Sequence, residues 1–152
     1  MIIRRFGLTL GVSLALAFAL ALPAAAAAAT TELWGSGEFA VRPQTVELSM
    51  TGHEWLGRLG ELGGGIRWRT WTESRAGGIG TIWINDGIPS YGEGTFHRHS
   101  AVIKAWRVRD GHFTRLSARF RGGSEPWKKG KVRYDWRYSL TSLGSGSYTW
   151  DR

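Results

Sequence analysis

Two acids, a tyrosine and two histidines share the stretch NDGIPSYGEGTFHRH, Asn85 to His99. Residues of these types support three kinds of chemistry. Asp86 and Glu93 would serve as acid and base in glycoside hydrolysis if they were held at a fixed separation, because that separation selects the mechanism. His97 and His99 stand two apart, so on a strand both point to one side, as a pair of metal ligands would. A metal also needs a third protein ligand, and the next acid along the chain is Asp110. Ser90, His97 and Asp86 are the residue types of a serine hydrolase, but no G-x-S-x-G elbow frames the serine. The same stretch is dense in turn formers: Asn85, Asp86, Gly87, Pro89, Gly92 and Gly94. Asn and Asp side chains accept hydrogen bonds from backbone N–H groups two residues on. The stretch therefore reads as a structural turn between two strands, with Glu93 solvated. No cofactor and no metal is expected, and His53, Glu54 and His112 read as surface residues. An extracellular hydrolase using Asp86 and Glu93 is the alternative.

A second set of candidates is aromatic and basic. The chain has nine tryptophans and a formal charge of +8. Strand alternation sends Trp68 and Trp136 inward and Trp71, Trp83 and Trp106 outward, the last with Arg115 against its ring. Exposed rings beside Arg115 and Arg119 would suit a flat polymer, since rings stack on sugar faces and guanidiniums grip anionic oxygens with two bonds. The opposing reading is self-satisfaction, with arginines stacking on those rings and pairing with Glu47, Glu73 and Asp135. The loop SEPWKKGKVR adds Trp127, Lys128, Lys129 and Lys131, suited to a cell wall or an anionic membrane surface. No nucleic-acid motif is present, and nucleic acid is not expected.

The elements that must position these residues begin after a leader. Arg4 and Arg5, the uncharged apolar run from Phe6 to Leu22, Pro23 and small residues at Ala27 and Ala29 read as a secretory signal peptide spanning residues 1–29. An uncleaved anchor is the competing reading. After cleavage no membrane span is expected. Setting Arg4 and Arg5 aside lowers the formal charge from +8 to +6 over residues 30–152. With no cysteine in the chain, no disulfide can assist a protein bound for an oxidising space.

Beyond the leader the apolar residues alternate with period two, the mark of half-buried strands. In TVELSM, Val46, Leu48 and Met50 share a face. In IRWRT, Ile66, Trp68 and Thr70 oppose Arg67 and Arg69. In KVRYDWRYSL, Val132, Tyr134, Trp136, Tyr138 and Leu140 oppose Lys131, Arg133, Asp135, Arg137 and Ser139. Asp110-Gly111 suits the positive φ angles of a two-residue type I′ hairpin turn. A two-residue loop fixes the register, pairing Arg109 with His112, Val108 with Phe113, Trp106 with Arg115, Ala105 with Leu116, Ile103 with Ala118 and Ala101 with Phe120. That register gathers Ala101, Ile103, Ala105, Leu116, Ala118 and Phe120 on one apolar face. The expected fold is all-β, a single-domain antiparallel β-sandwich or barrel over residues 30–152.

The run WRTWTESRAGGIGTIWINDGIPSYGEGTFHRHSAVIKAW, with FTRLSARF after it, resembles a family of small secreted bacterial proteins of unknown function. Trp68, Trp71, Ala76, Gly78, Gly80, Asn85, Asp86, Pro89, Gly94 and Phe96 carry the resemblance, which covers residues 42 to 120. It implies a shared fold and brings no activity with it. Gly87 and Tyr91 stand where the family has cysteines, so the covalent closure implied for this loop is lost here, and Tyr91 is expected to close it by packing its ring inward. The reading as a whole is a secreted monomer, extracellular or associated with the cell wall, that binds an anionic cell-wall polymer or glycan without catalysis. A structural or interaction protein without a ligand stands beside it.

Overall fold

The computed structural model of the protein describes residues 31–152, so the leader and its cleavage lie outside the described residues. The strands are β1 (Leu33–Trp34), β2 (Phe39–Ala40), β3 (Thr45–Glu47), β4 (Glu54–Gly57), β5 (Ile66–Trp71), β6 (Arg75–Asn85), β7 (Phe96–Arg109), β8 (His112–Gly122), β9 (Val132–Gly144) and β10 (Ser147–Asp151). Among the described residues the one helical element is a 3-10 turn at Gly60–Leu62, and no helix there is long and apolar enough to cross a membrane.

Eight strands form one antiparallel sheet in the order β10-β9-β8-β7-β6-β4-β3, with β5 also paired to β6. β4 pairs with Ile82–Ile84 and β5 with Ala76–Gly80, so the two lie one after the other along a single edge of β6. The sheet curls into a nearly closed barrel. The β1–β2 ribbon fills the remaining gap: the Gly35 carbonyl accepts the Glu47 N–H at 3.3 Å, and the Trp34 carbonyl accepts the Trp150 indole N–H at 3.0 Å. An antiparallel sheet closed this way leaves little exposed edge to pair with other chains.

The hairpin between β7 and β8 has the register that its turn dictates, from Arg109 opposite His112 back to Ile103 opposite Ala118. Asp110 and Gly111 take φ of 49° and 78°, the signature of a type I′ turn. The face built from Ala101, Ile103, Ala105, Leu116, Ala118 and Phe120 is buried throughout. With Leu33, Val46, Leu56, Ile82, Phe113 and Tyr138 it fills the barrel, and each large apolar side chain contributes about 1.5–3 kcal/mol by leaving water.

Simple alternation fails at three places. β3 ends at Glu47, so Met50 lies in the turn after it and is 67% exposed instead of sharing the buried face of Val46 and Leu48. β5 carries a bulge: Trp68 stands opposite Gly78, but Thr70 stands opposite Gly77. The extra residue, Arg69, reverses the parity beyond it, which turns Thr70 out and Trp71 into the core. Val132, at the start of β9, is exposed, while Tyr134, Trp136 and Tyr138 hold the inward face as expected.

Candidate functional site

The Asn85–His99 stretch is a braced turn. Asn85 Oδ1 accepts from Gly87 N–H at 2.8 Å while its amide donates to the Tyr91 carbonyl at 3.0 Å. Asp86 Oδ1 accepts from the N–H groups of Ile88 at 3.2 Å and Thr95 at 2.9 Å, and its Oδ2 meets His97 Nε2 at 2.9 Å. His97 first, then the Thr95 and Ile88 N–H groups, hold the Asp86 carboxyl below its ordinary range. Both Asp86 oxygens are therefore occupied, and Glu93, out in solvent, accepts from the Ser90 hydroxyl at 2.9 Å. These are the side-chain bonds of a structural turn. Tyr91 does not turn inward. It is 56% exposed, yet it closes the loop from outside. Its ring stacks on His53 with centroids 3.5 Å apart, and it fills the space where a Cβ on Gly87 would stand, 2.8 Å from that position. His97 and His99 do share a side, but they part there: His99 Nε2 donates to the Trp127 carbonyl at 3.2 Å. Among the described residues no three His, Asp or Glu side chains gather as a metal site.

The three tryptophans expected outside form no common strip. Trp71 is 8% exposed. Turned in by the β5 bulge, it packs edge-on to Trp68 and Phe113 and donates its indole N–H to the Thr31 carbonyl at 3.0 Å. Trp83 does point out of the barrel, but residues 57–65 fold over it and leave it 4% exposed. Its indole N–H donates to the Gly57 carbonyl at 2.9 Å. Gly64 lies against that same indole, since a Cβ there would stand 3.3 Å from its nitrogen and 2.4 Å from the Gly57 carbonyl oxygen. Trp106 alone of the three lies outside and half-open. Arg115 is opposite it in the ladder, as expected, but the guanidinium turns to its other neighbour and donates to Ser139 Oγ. The expected stacking on Trp106 is replaced by that bond. Among the described residues the guanidinium that does lie over a ring is Arg152, 4.1 Å from the Trp136 centroid.

The outward positions of β7, β8 and β9 make a basic face. Lys104, Ser117 and Arg137 form one row across the sheet, and Val102, Arg119 and Asp135 form the next. Beyond them Arg121 stands directly opposite Arg133. Like charges facing each other across a ladder are destabilising. On this face the ion pair present among the described residues is Arg137 with Asp135, at 3.5 Å. Arg98, Arg119, Arg121 and Arg133 line a shallow cleft of about 520 Å³ with Val102 and His99. Burial holds the His99 imidazole below its ordinary range.

A second cleft, of about 450 Å³, opens between the Ser49–Glu54 segment, the middle of β9 and the end of β10, and its lining includes Trp127 and Trp136. The Glu54 side chain, expected at the surface, is only 15% exposed. Its Oε2 accepts from the buried Tyr138 hydroxyl at 2.9 Å, and its Oε1 faces Arg152 Nη2 at 3.3 Å. Burial pushes the Glu54 carboxyl up, while Arg152, the Tyr138 hydroxyl and His53 draw it partly back. His112, also expected to be exposed, stacks on Phe39 with centroids 3.7 Å apart. Sequence reasoning missed this cleft. Its available signal was Tyr138, an inward tyrosine on a clear strand whose hydroxyl required a buried partner. Comparison of the chain with family models, characterised proteins and solved structures finds no match.

Proposed function

We propose that the protein is a secreted, non-catalytic binding domain, and that the basic outer face of β7, β8 and β9 takes an anionic polymer of the cell envelope. The observation that carries this reading is the direct opposition of Arg121 and Arg133, flanked by Arg98 and Arg119, with no acid among the described residues bonded to any of the four. Such an arrangement works against the fold and is relieved when anionic oxygens bridge the guanidiniums. Arg115 and Trp106 belong to the same outer face, further along the hairpin. The buried Trp71 and Trp83 are left out of the site. The leader-like residues 1–29 and the formal +6 beyond them support the location and the sign of the partner.

We also read the chain as sharing its fold with the secreted family that the Trp68 to Phe96 motif resembles. In support, the motif residues Asn85, Asp86 and Gly94 all serve one joint. A Cβ on Gly94 would stand 2.0 Å from Asn85 Oδ1, so the bracing amide requires a glycine there.

Cosedimentation with purified cell wall across a salt series tests the reading. Exposed contacts of about 0.2–1 kcal/mol each make Arg119→Ala/Arg121→Ala/Arg133→Ala bind roughly 3- to 100-fold more weakly than wild type. Wild-type retention is expected to fade as salt rises. Retention that ignores salt, or that survives the triple substitution, overturns the assignment, as does a wild-type protein that is not retained at all.

A further inference from the structure

The cleft at Glu54 shares no residue with the basic face, and its chemistry is the opposite. Its occupant is already visible. Arg152, one residue past β10, lays its guanidinium 4.1 Å from the Trp136 ring centroid and 3.3 Å from Glu54 Oε1. A ring face and a carboxylate together are what a guanidinium needs, because the flat cation stacks on the ring while its N–H groups point at oxygen. The carboxylate is fixed from behind, with Oε2 held by the hydroxyl of Tyr138, a residue only 1% exposed. Glu54 and Tyr138 belong to strands on opposite sides of the barrel, β4 and β9, so the receptor half of the pair is part of the rigid frame. Arg152 is held differently. It lies beyond the last paired residue, Asp151 opposite Ser139, and its side chain is 48% exposed. The cleft around it has room beyond one side chain, about 450 Å³ bordered by Trp127, Tyr91 and Asn85.

We propose that this cleft is a guanidinium-binding site for the arginine side chain of a peptide, and that Arg152 occupies it in cis. A ligand must then displace a tethered competitor whose effective concentration is on the order of millimolar. Removing the competitor while keeping Trp136, Glu54 and Tyr138 unmasks the site.

The probe is Nα-acetyl-arginine amide, titrated against tryptophan fluorescence in wild type, Arg152→Ala and Arg152→Ala/Glu54→Gln, with the isosteric but uncharged citrulline amide as the comparison. The expected result is saturable binding to Arg152→Ala at least tenfold tighter than to wild type. Binding of the arginine probe is lost in the double variant, and the citrulline probe does not bind. Equal responses to the arginine and citrulline probes overturn the proposal, as does undiminished binding in the double variant. Should the double variant fail to fold, proton NMR of the arginine probe with Arg152→Ala decides. Ring-current shifts of the probe's δ-methylene protons, absent for citrulline, are required, and unshifted protons sink the site.

Discussion

Trp83 on β6 and Trp106 on β7 are both directed out of the barrel from adjoining strands, at opposite ends of their ladder, yet one is sealed and the other half-open. The difference lies in the connection that leaves the neighbouring strand. Beside β6, the chain between β4 and β5 leaves the sheet at Gly57 and returns at Ile66, and the excursion covers the Trp83 indole. Beside β7, the two-residue turn at Asp110-Gly111 sends the chain straight back into the ladder, with nothing left over to cover the outer face. Alternation thus decides the direction of a side chain, and the length and course of connections decide its exposure. A basic face stays wet where no connection is laid across it.

The largest expected effect tests that contrast directly. Trp83→Ala removes a sealed indole and its hydrogen bond and is expected to cost about 3–5 kcal/mol, whereas Trp106→Ala on the open face is expected to cost about 1 kcal/mol or less. Urea unfolding of the two variants measures both. If the two losses fall within about 1 kcal/mol of each other, the cover over Trp83 has no energetic content.

A smaller effect isolates the cover itself. Gly64 and Gly111 both hold positive φ, 93° and 78°, so alanine at either meets a left-handed backbone penalty of about 1–2 kcal/mol. Only at Gly64 does the new Cβ meet a neighbour, the Gly57 carbonyl oxygen at 2.4 Å, while at Gly111 nothing lies within 4 Å. Gly64→Ala is therefore expected to exceed Gly111→Ala by about 1–3 kcal/mol, the usual range for overpacking. A red shift of tryptophan emission in Gly64→Ala alone would locate the damage at the lifted cover. Equal losses would mean that residues 57–65 yield freely.

The same contrast explains which parts of the molecule are legible in the sequence. The hairpin register and the apolar face of β7 and β8 are written locally, in Asp110-Gly111 and in strict alternation on both sides of it. The side-chain bonds of Asn85 and Asp86 are equally local, each reaching a backbone N–H two residues on. Trp71 is misread because one extra residue, Arg69, reverses parity with no mark in composition. Trp83 and Glu54 are misread because their surroundings come from far along the chain. Glu54 meets Tyr138 across the barrel, and Trp34 meets Trp150 across the gap that β1 fills. Closure of the sheet brings these residues together, and no short stretch of sequence records it.

The smallest expected effect concerns the seam between the two outer faces, the turn that carries the chain from β6 to β7. Asp86 has its carboxyl held below the ordinary value of 3.8 by His97 and two backbone N–H groups. The unfolded chain therefore takes up a proton there before the folded one does. The stability this contributes is complete above 3.8 and is lost as pH falls from there through the folded value. His99, held below 6.5 by burial, contributes in the same direction but earlier, its share being complete above 6.5 and declining below it. Glu54 works the other way. Its carboxyl is raised above 4.5 chiefly by burial, so its contribution is present below 4.5 and is lost as pH rises through the folded value. Because the three overlap, the raw acid curve of the wild type assigns nothing, and the difference between wild type and Asp86→Asn is the informative quantity. Urea unfolding from about pH 6 down to about pH 3 is expected to show the two proteins separated above 3.8 and converging below it, with the His99 decline common to both. A gap that stays constant through that range would mean that the Asp86 carboxylate does not clamp the turn, and that β6 and β7 are joined by their backbone ladder alone.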